Sequence, residues 1–356
     1  MKKTAQLFFL IFMIILVSCR KEEPPVKEYQ EDKGVFICNE GNFMSGNSSL
    51  SFFNTNTKEV SNQVFYNANG FPLGDVCQSM KIFGNYGFIV INNSGKIMVI
   101  NTSTFKHIAS ISNLPSPRYV EIISSTKAYV SDYSSHYITI IDPSQFTIGG
   151  NIPIGATTEA ICKSDDFVFV SSWSFGNKIY KIDSRIDKIV DSVEVVIQPN
   201  SIVFDKNKKL WVLSDGGFNG LSYGWENAAL SRINPEDMSI EAVFTFENKE
   251  FSPTRLQISK GGDTLYYLNG GWGLMHPSSG VCQMSISDNS LPQTALIQEN
   301  GRMFFGLGIH PSNGDIYISD AKDYVKKSVV YRYTPQANLL DSFRVDIGAG
   351  YFCFKE

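Results

Sequence analysis

Short apolar segments recur along the chain with one internal order. A β-branched or apolar residue comes first, then an aromatic, then another apolar residue, then a polar or Gly-rich stretch. Seven copies centre on Phe36, Phe88, Tyr129, Phe169, Trp211, Tyr266 and Tyr317. The span from the first to the last is 281 residues over six intervals, about 47 per repeat. Alternation over so few residues predicts strands. Past the N-terminal leader, no block of 12 to 18 residues keeps a convincing 3.6-residue period, so helices should be rare.

Each repeat reads as four strands. An opening strand such as Arg118-Tyr119-Val120-Glu121-Ile122-Ile123 leads into a tight turn, and the aromatic strand is second. The turns Asp205-Lys206-Asn207-Lys208, Ser259-Lys260-Gly261-Gly262-Asp263 and Pro311-Ser312-Asn313-Gly314-Asp315 have hairpin chemistry. A third strand ends on an apolar residue plus Asn or Asp: Phe53-Asn54, Ile100-Asn101, Ile141-Asp142, Ile182-Asp183, Ile233-Asn234. A polar outer strand follows, as in Lys188-Ile189-Val190-Asp191-Ser192-Val193. A four-stranded repeat of this length predicts an all-β, seven-bladed β-propeller. The first aromatic strand, Gly34-Val35-Phe36-Ile37, lacks an opening strand, and the terminal Gly350-Tyr351-Phe352-Cys353-Phe354 lacks an aromatic one. The C-terminal strand should therefore pair into the N-terminal blade and close the ring, which removes exposed sheet edges.

Ala128-Tyr129-Val130-Ser131-Asp132, with Leu210-Trp211-Val212-Leu213-Ser214-Asp215 as a looser copy, resembles the strand motif of YVTN/YncE-type seven-bladed propellers. The resemblance runs from about residue 33 to the end and implies the fold, not an activity. No Trp-Asp dipeptide of the WD40 kind occurs.

The N-terminus carries an address. Lys2 and Lys3 precede eleven apolar residues, Leu7 to Val17, too few to span a bilayer. Leu16-Val17-Ser18-Cys19 resembles the lipobox of bacterial lipoproteins, which implies residues 1–18 as signal peptide and lipidation of Cys19. Multiple acyl chains make such attachment stable. Arg20-Lys21-Glu22-Glu23 resembles the export signal of Bacteroidetes surface lipoproteins. Residues 19–33, rich in charge and Pro, are expected as a flexible tether, with the propeller over 34–356. The expected location is the outer membrane, lipid-anchored and facing out, with the periplasmic side as the alternative.

About 320 residues past the tether can bury a large core. A net charge of -4 speaks against nucleic-acid binding. Five cysteines remain after Cys19, so at least one is unpaired in the monomer; Cys38 and Cys353 fall on neighbouring strands as a disulfide or as buried thiols. No Cys-X-X-Cys or Asp-X-Asp-X-Asp-Gly spacing suggests a metal.

Binding residues should lie where connections from second to third strand meet those between blades. The distance from strand aromatic to the end of the third strand is 12 residues for Phe88 to Ile100 and for Tyr129 to Ile141. It is 22 for Trp211 to Ile233. Such one-sided insertions mark a binding face. These loops carry Phe43, Tyr133, His136, Trp173, Phe175, Phe218, Tyr223, Trp225, Trp272, His276 and Tyr324. Clustered rings either cover a ligand or pack the loops on one another. Arg118, Arg255 and Arg302 belong to the same face, with Asn93 and also Asn39, Asn42, Gln198 and Asn200 nearby. Each arginine either contacts a ligand or pairs with a strand-end carboxylate such as Asp132 or Asp320.

Catalytic signatures are poor: no Gly-X-Ser-X-Gly elbow, phosphate loop or His-Glu-X-X-His helix occurs. His136 and His276 could serve a propeller lyase but lack an evident carboxylate partner. Architecture, address and a ring- and amide-rich face together resemble the BtuG-type cobalamin-capturing lipoproteins of Bacteroidetes. That resemblance implies capture of a cobamide (vitamin B12) as cargo, with no cofactor, and delivery to a TonB-dependent outer-membrane transporter. A glycan-binding lipoprotein of a polysaccharide-uptake system and a protein-interaction propeller are the alternatives.

Overall fold

The computed structural model describes residues 33–270 and 276–356. The signal peptide, Cys19 and nearly all of the expected tether lie outside the described residues. Within them, twenty-eight strands form seven four-stranded sheets, and the one helix is the short Val64–Asn69. None of the described helices is long and apolar enough to cross a membrane.

The seven sheets are the blades of a propeller. Blade three is representative: Pro117–Ser124, Lys127–Asp132, Tyr137–Asp142 and Thr147–Pro153 follow one another antiparallel. The opening strands stand innermost, each touching the next around a closed ring. Closure is the expected one. Ala349–Lys355 pairs with Gly34–Asn39, placing Phe352 opposite Ile37, so the C-terminus completes the first blade.

The repeated aromatic is a wedge between neighbouring blades. Phe36 of blade one packs with Ile89 and Ile91 of blade two. Phe88 then meets Ala128 and Val130, Tyr129 meets Val168 and Val170, and Phe169 meets Leu210 and Val212. Trp211 meets Leu265 and Tyr267, Tyr266 meets Ile316 and Ile318, and Tyr317 closes the circle on Val35 and Ile37. One hydrophobic cluster thus belongs to each of the seven blade interfaces. A buried ring of this size removes about 150–250 Å² from water, and that burial is the main force holding neighbouring blades together. The polar ends are satisfied too: Trp211 donates from Nε1 to Asp205 Oδ2 at 2.9 Å, and Tyr129 donates its hydroxyl to Asp187.

The Asn or Asp ending each third strand has a local reason. Asn54, Asn101 and Asp142 each accept, on Oδ1, the backbone N–H groups two and three residues on. The side chain thereby starts the outer turn. Four residues after the Asn or Asp, Lys58, Phe105, Phe146, Asp187 and Met238 all take φ between 54° and 62°. The turn, not the residue type, imposes that left-handed geometry.

All five described cysteines are free thiols. Cys353 sits opposite Phe36 and Cys38 opposite Tyr351, so the Cys38–Cys353 disulfide is not formed. Burial pushes both thiols up, Cys353 to about 12.

Candidate functional site

The seven opening strands begin around the axis, and most begin with an irregularity. The pairing slips between Cys77 and Ser79, Pro117 and Val120, Pro199 and Ser201, Thr254 and Gln257, and Phe304 and Leu307. The first blade has the same slip at Gly350, between Ala349 and Tyr351. A β-bulge of this kind re-aims a side chain that the pleat would otherwise send into the blade. The re-aimed residues are Gln78, Arg118 with Tyr119, Asn200, Arg255 and Phe305. Blade four presents Glu159 at the corresponding point, where Glu159 and Ala160 together face Ser171: the Glu159 amide donates to the Ser171 carbonyl and the Ser171 amide to the Ala160 carbonyl, both at 2.9 Å. A serine of the second strand caps the bulge from below: Ser131 accepts from the Tyr119 amide at 3.2 Å and Ser319 from that of Gly306 at 2.8 Å.

Arg118, Tyr119, Glu159, Asn200, Arg255 and Phe305 line a cavity of about 1010 Å³, open on the face that carries the long loops. Among its walls are Trp173, Tyr324, Phe305 and Asn200, with Tyr119 and Tyr351 deeper on the axis, their rings 6.0 Å apart. Burial raises both phenols, that of Tyr351 strongly. Four non-glycine residues of the lining hold left-handed backbone: Arg255, Asn300, Lys322 and Tyr324. Strain of this kind, of order 1–3 kcal/mol per residue, concentrates at functional sites.

The three arginines are not equivalent. Arg118 donates from Nε and Nη2 to the two Glu159 oxygens at 2.7 and 2.8 Å, and from Nη1 to Gln78 at 2.6 Å. Burial disfavours its charge, but Glu159 more than offsets that and raises its affinity for the proton. Arg302 is held by the carbonyls of Glu299 and Gln298 and by the Tyr333 hydroxyl, at 2.8–3.0 Å. Arg255 is held loosely: Nε reaches the Phe305 carbonyl at 3.3 Å, and Nη2 stands 3.7 Å from Glu40. Burial raises the Glu40 carboxyl, and Arg255 opposes the rise. Of the three, Arg255 retains donors for something in the cavity.

Two more carboxyls are perturbed. Asp215 accepts the Trp173 indole N–H at 2.7 Å and the Gly217 amide at 3.0 Å, yet burial lifts it to about 6. Burial lifts Glu299, on the cavity wall, to about 7, against the pull of Arg302.

Of the fifteen residues expected to bind ligand, six line the cavity: Arg118, Trp173, Arg255, His276, Arg302 and Tyr324. Tyr133 packs behind, its ring 5.7 Å from that of Trp173 and beneath Arg118. Phe43, Phe175, Phe218 and Tyr223 are exposed on the same loops but outside the cavity. His136 is also exposed away from it, and Asn93 donates to Asp75 at 2.5 Å. Trp225 ties its loop down, donating to the Lys249 carbonyl at 3.0 Å. Trp272 lies outside the described residues. His276 turns Nδ1 to Ser278, 2.8 Å from its hydroxyl, and has no described carboxylate partner.

Sequence reasoning passed over Glu40, Tyr119, Glu159, Glu299, Phe305 and Tyr351. A signal for part of this set was available: Gln78, Arg118, Glu159 and Asn200 stand 40 or 41 residues apart at the head of successive opening strands.

The sequence profile of a domain of unknown function, DUF5074, matches residues 33–347. The chain belongs to the DUF5074 family. No curated protein matches this DUF5074 chain. Among solved structures it is similar to a quinonprotein alcohol dehydrogenase-like protein from Bacteroides thetaiotaomicron. The TM-score is 0.68 and the identity 15%, covering 91% of this chain and 78% of that one. It is similar to a periplasmic gluconolactonase of Pseudomonas aeruginosa at TM-score 0.65 and 10% identity, covering 90% and 98%. A putative 6-phosphogluconolactonase of Bacteroides fragilis gives TM-score 0.62 and 14% identity, covering 94% and 100%. At these identities the DUF5074 protein shares their propeller fold, and the fold carries no chemistry with it.

Proposed function

We propose that this DUF5074 protein is a capture propeller, lipid-anchored through Cys19 on the outer membrane. In this reading it binds a bulky, largely uncharged nutrient on its axis. A cobamide fits the reading best, taken up for delivery to a TonB-dependent transporter. The observation that carries the reading is the cavity of about 1010 Å³, which stands at the top of the ~300–1,000 Å³ range of small-molecule sites. Arg118–Glu159 and Lys322–Asp320 are paired within the protein, while rings and amides face inward. That lining suits a large molecule edged with amides and apolar flanks. A preformed scaffold keeps the ordering cost of binding small.

Gel filtration of the protein with cyanocobalamin tests the reading. Co-elution near one equivalent at micromolar concentration is expected, with Trp173→Ala and Arg255→Met each weakening binding at least tenfold. Absence of co-elution would refute the cobamide assignment.

One observation favours a second reading. Phe43, Phe175 and Phe218 are each more than half exposed on the loop face, beyond the cavity. Rings presented to water in this way stack on sugar faces, so a glycan ligand is the alternative, and a glycan array separates the two. The lactonases among the structural neighbours share the fold alone, and at 10–14% identity they lend no reaction to this reading.

A further inference from the structure

The wall between blades six and seven holds a carboxyl group that no described residue bonds. Glu299 follows the outer strand Ile297–Gln298 and lines the cavity, half-buried. Among the described residues its carboxyl oxygens have no hydrogen-bond or ion-pair partner, although cations stand close. Arg302, three residues on, donates to the Glu299 backbone carbonyl at 2.9 Å, to Gln298 and to Tyr333, with its guanidinium over the Phe304 and Tyr331 rings. Lys322 pairs with Asp320 at 2.5 Å. Gly270 lies against the carboxyl: a Cβ there would stand 3.4 Å from Glu299 Oε1, in ordinary contact. A half-buried carboxyl left without a partner costs free energy that a ligand donor can recover.

We propose that Glu299 is a specificity-determining residue of the cavity. It accepts ligands that present N–H or O–H donors to this wall, primary amides above all, and rejects ligands that present a carboxylate or phosphate there. This rests on the capture reading and deepens it by naming the ligand chemistry: amidated rather than acidic. A carboxylate faces an amide with matched polarity and another carboxylate with like charge, which costs several-fold or more in affinity.

The test compares wild type with Glu299→Gln on two pairs of probes, read by ligand-observed NMR. One pair is cyanocobalamin and its monocarboxylic acid; the other, independent of the cobamide reading, is nicotinamide and nicotinate at millimolar concentration. At pH 8 the wild type should prefer each amide to its acid by at least tenfold, and E299Q by less than threefold. Lowering the pH to 5.5 protonates Glu299 and should erase the wild-type preference. Arg302, Asp320, Lys322 and His276 also surround this wall, so the same pH series on His276→Gln should keep the loss. Cyanocobalamin failing to bind while nicotinamide still discriminates would sink the cobamide and leave the role of Glu299 standing. Equal preference in wild type and E299Q, or no amide bound by the wild type, overturns it.

Discussion

Glu159→Leu offers a direct test of how the inner ring is held. In the native protein the Arg118 side chain is 17% exposed and that of Glu159 6%, and the two share bonds of 2.7 and 2.8 Å. Removing the carboxylate leaves a buried cation with Gln78 as its remaining side-chain acceptor. Breaking one side of such a pair costs ~3–5 kcal/mol, mostly from the charge left behind. In a propeller of about 320 residues, with roughly 2 °C per kcal/mol, the midpoint should fall by ~6–10 °C. Urea unfolding followed by tryptophan emission gives the free energy, and calorimetry the midpoint. The double variant Arg118→Met with Glu159→Leu removes both charges and should return to within ~1 kcal/mol of wild type. A loss below 1 kcal/mol in E159L, or a double variant no more stable than the single, would refute this account.

Deleting residues 349–356 removes the strand that completes the first blade and exposes the edge of Gly34–Asn39; the product should aggregate, seen as void-volume elution in gel filtration. Asp215 is raised by burial from 3.8 to about 6, so the folded state holds its proton more tightly than the unfolded chain. Its contribution is therefore full below about pH 4 and is lost as pH rises through 6. Relative to Asp215→Asn, wild type should lose ~2 kcal/mol between pH 4 and 7 in urea titrations, and parallel curves would contradict the burial argument. Burial holds Cys282 and Cys353 near 12, so Ellman's reagent should label none of the five described thiols in native protein and all five in guanidinium.

The seven aromatics, the Asn or Asp of the third strands and the two unmatched terminal strands determined the blade count, the turns and the closure. These are local facts: a strand aromatic must find a neighbouring blade, and an Asx side chain bonds its own following amides. The face that carries the long loops was legible for the same reason. Which of its residues enter the cavity was not. Trp173 turns inward because Asp215, 42 residues on, holds its indole, whereas the ring of Trp225 is bonded to its own loop system at Lys249. Arg118, Arg255 and Arg302 read alike in sequence, and only the bulges and the partners, from Glu299 beside Arg302 to Glu40 across the ring from Arg255, decide which keeps free donors. Strand identity follows from alternation along one segment. The lining of the axis depends on side chains that seven separate segments bring to one point, and that is a property of the closed ring.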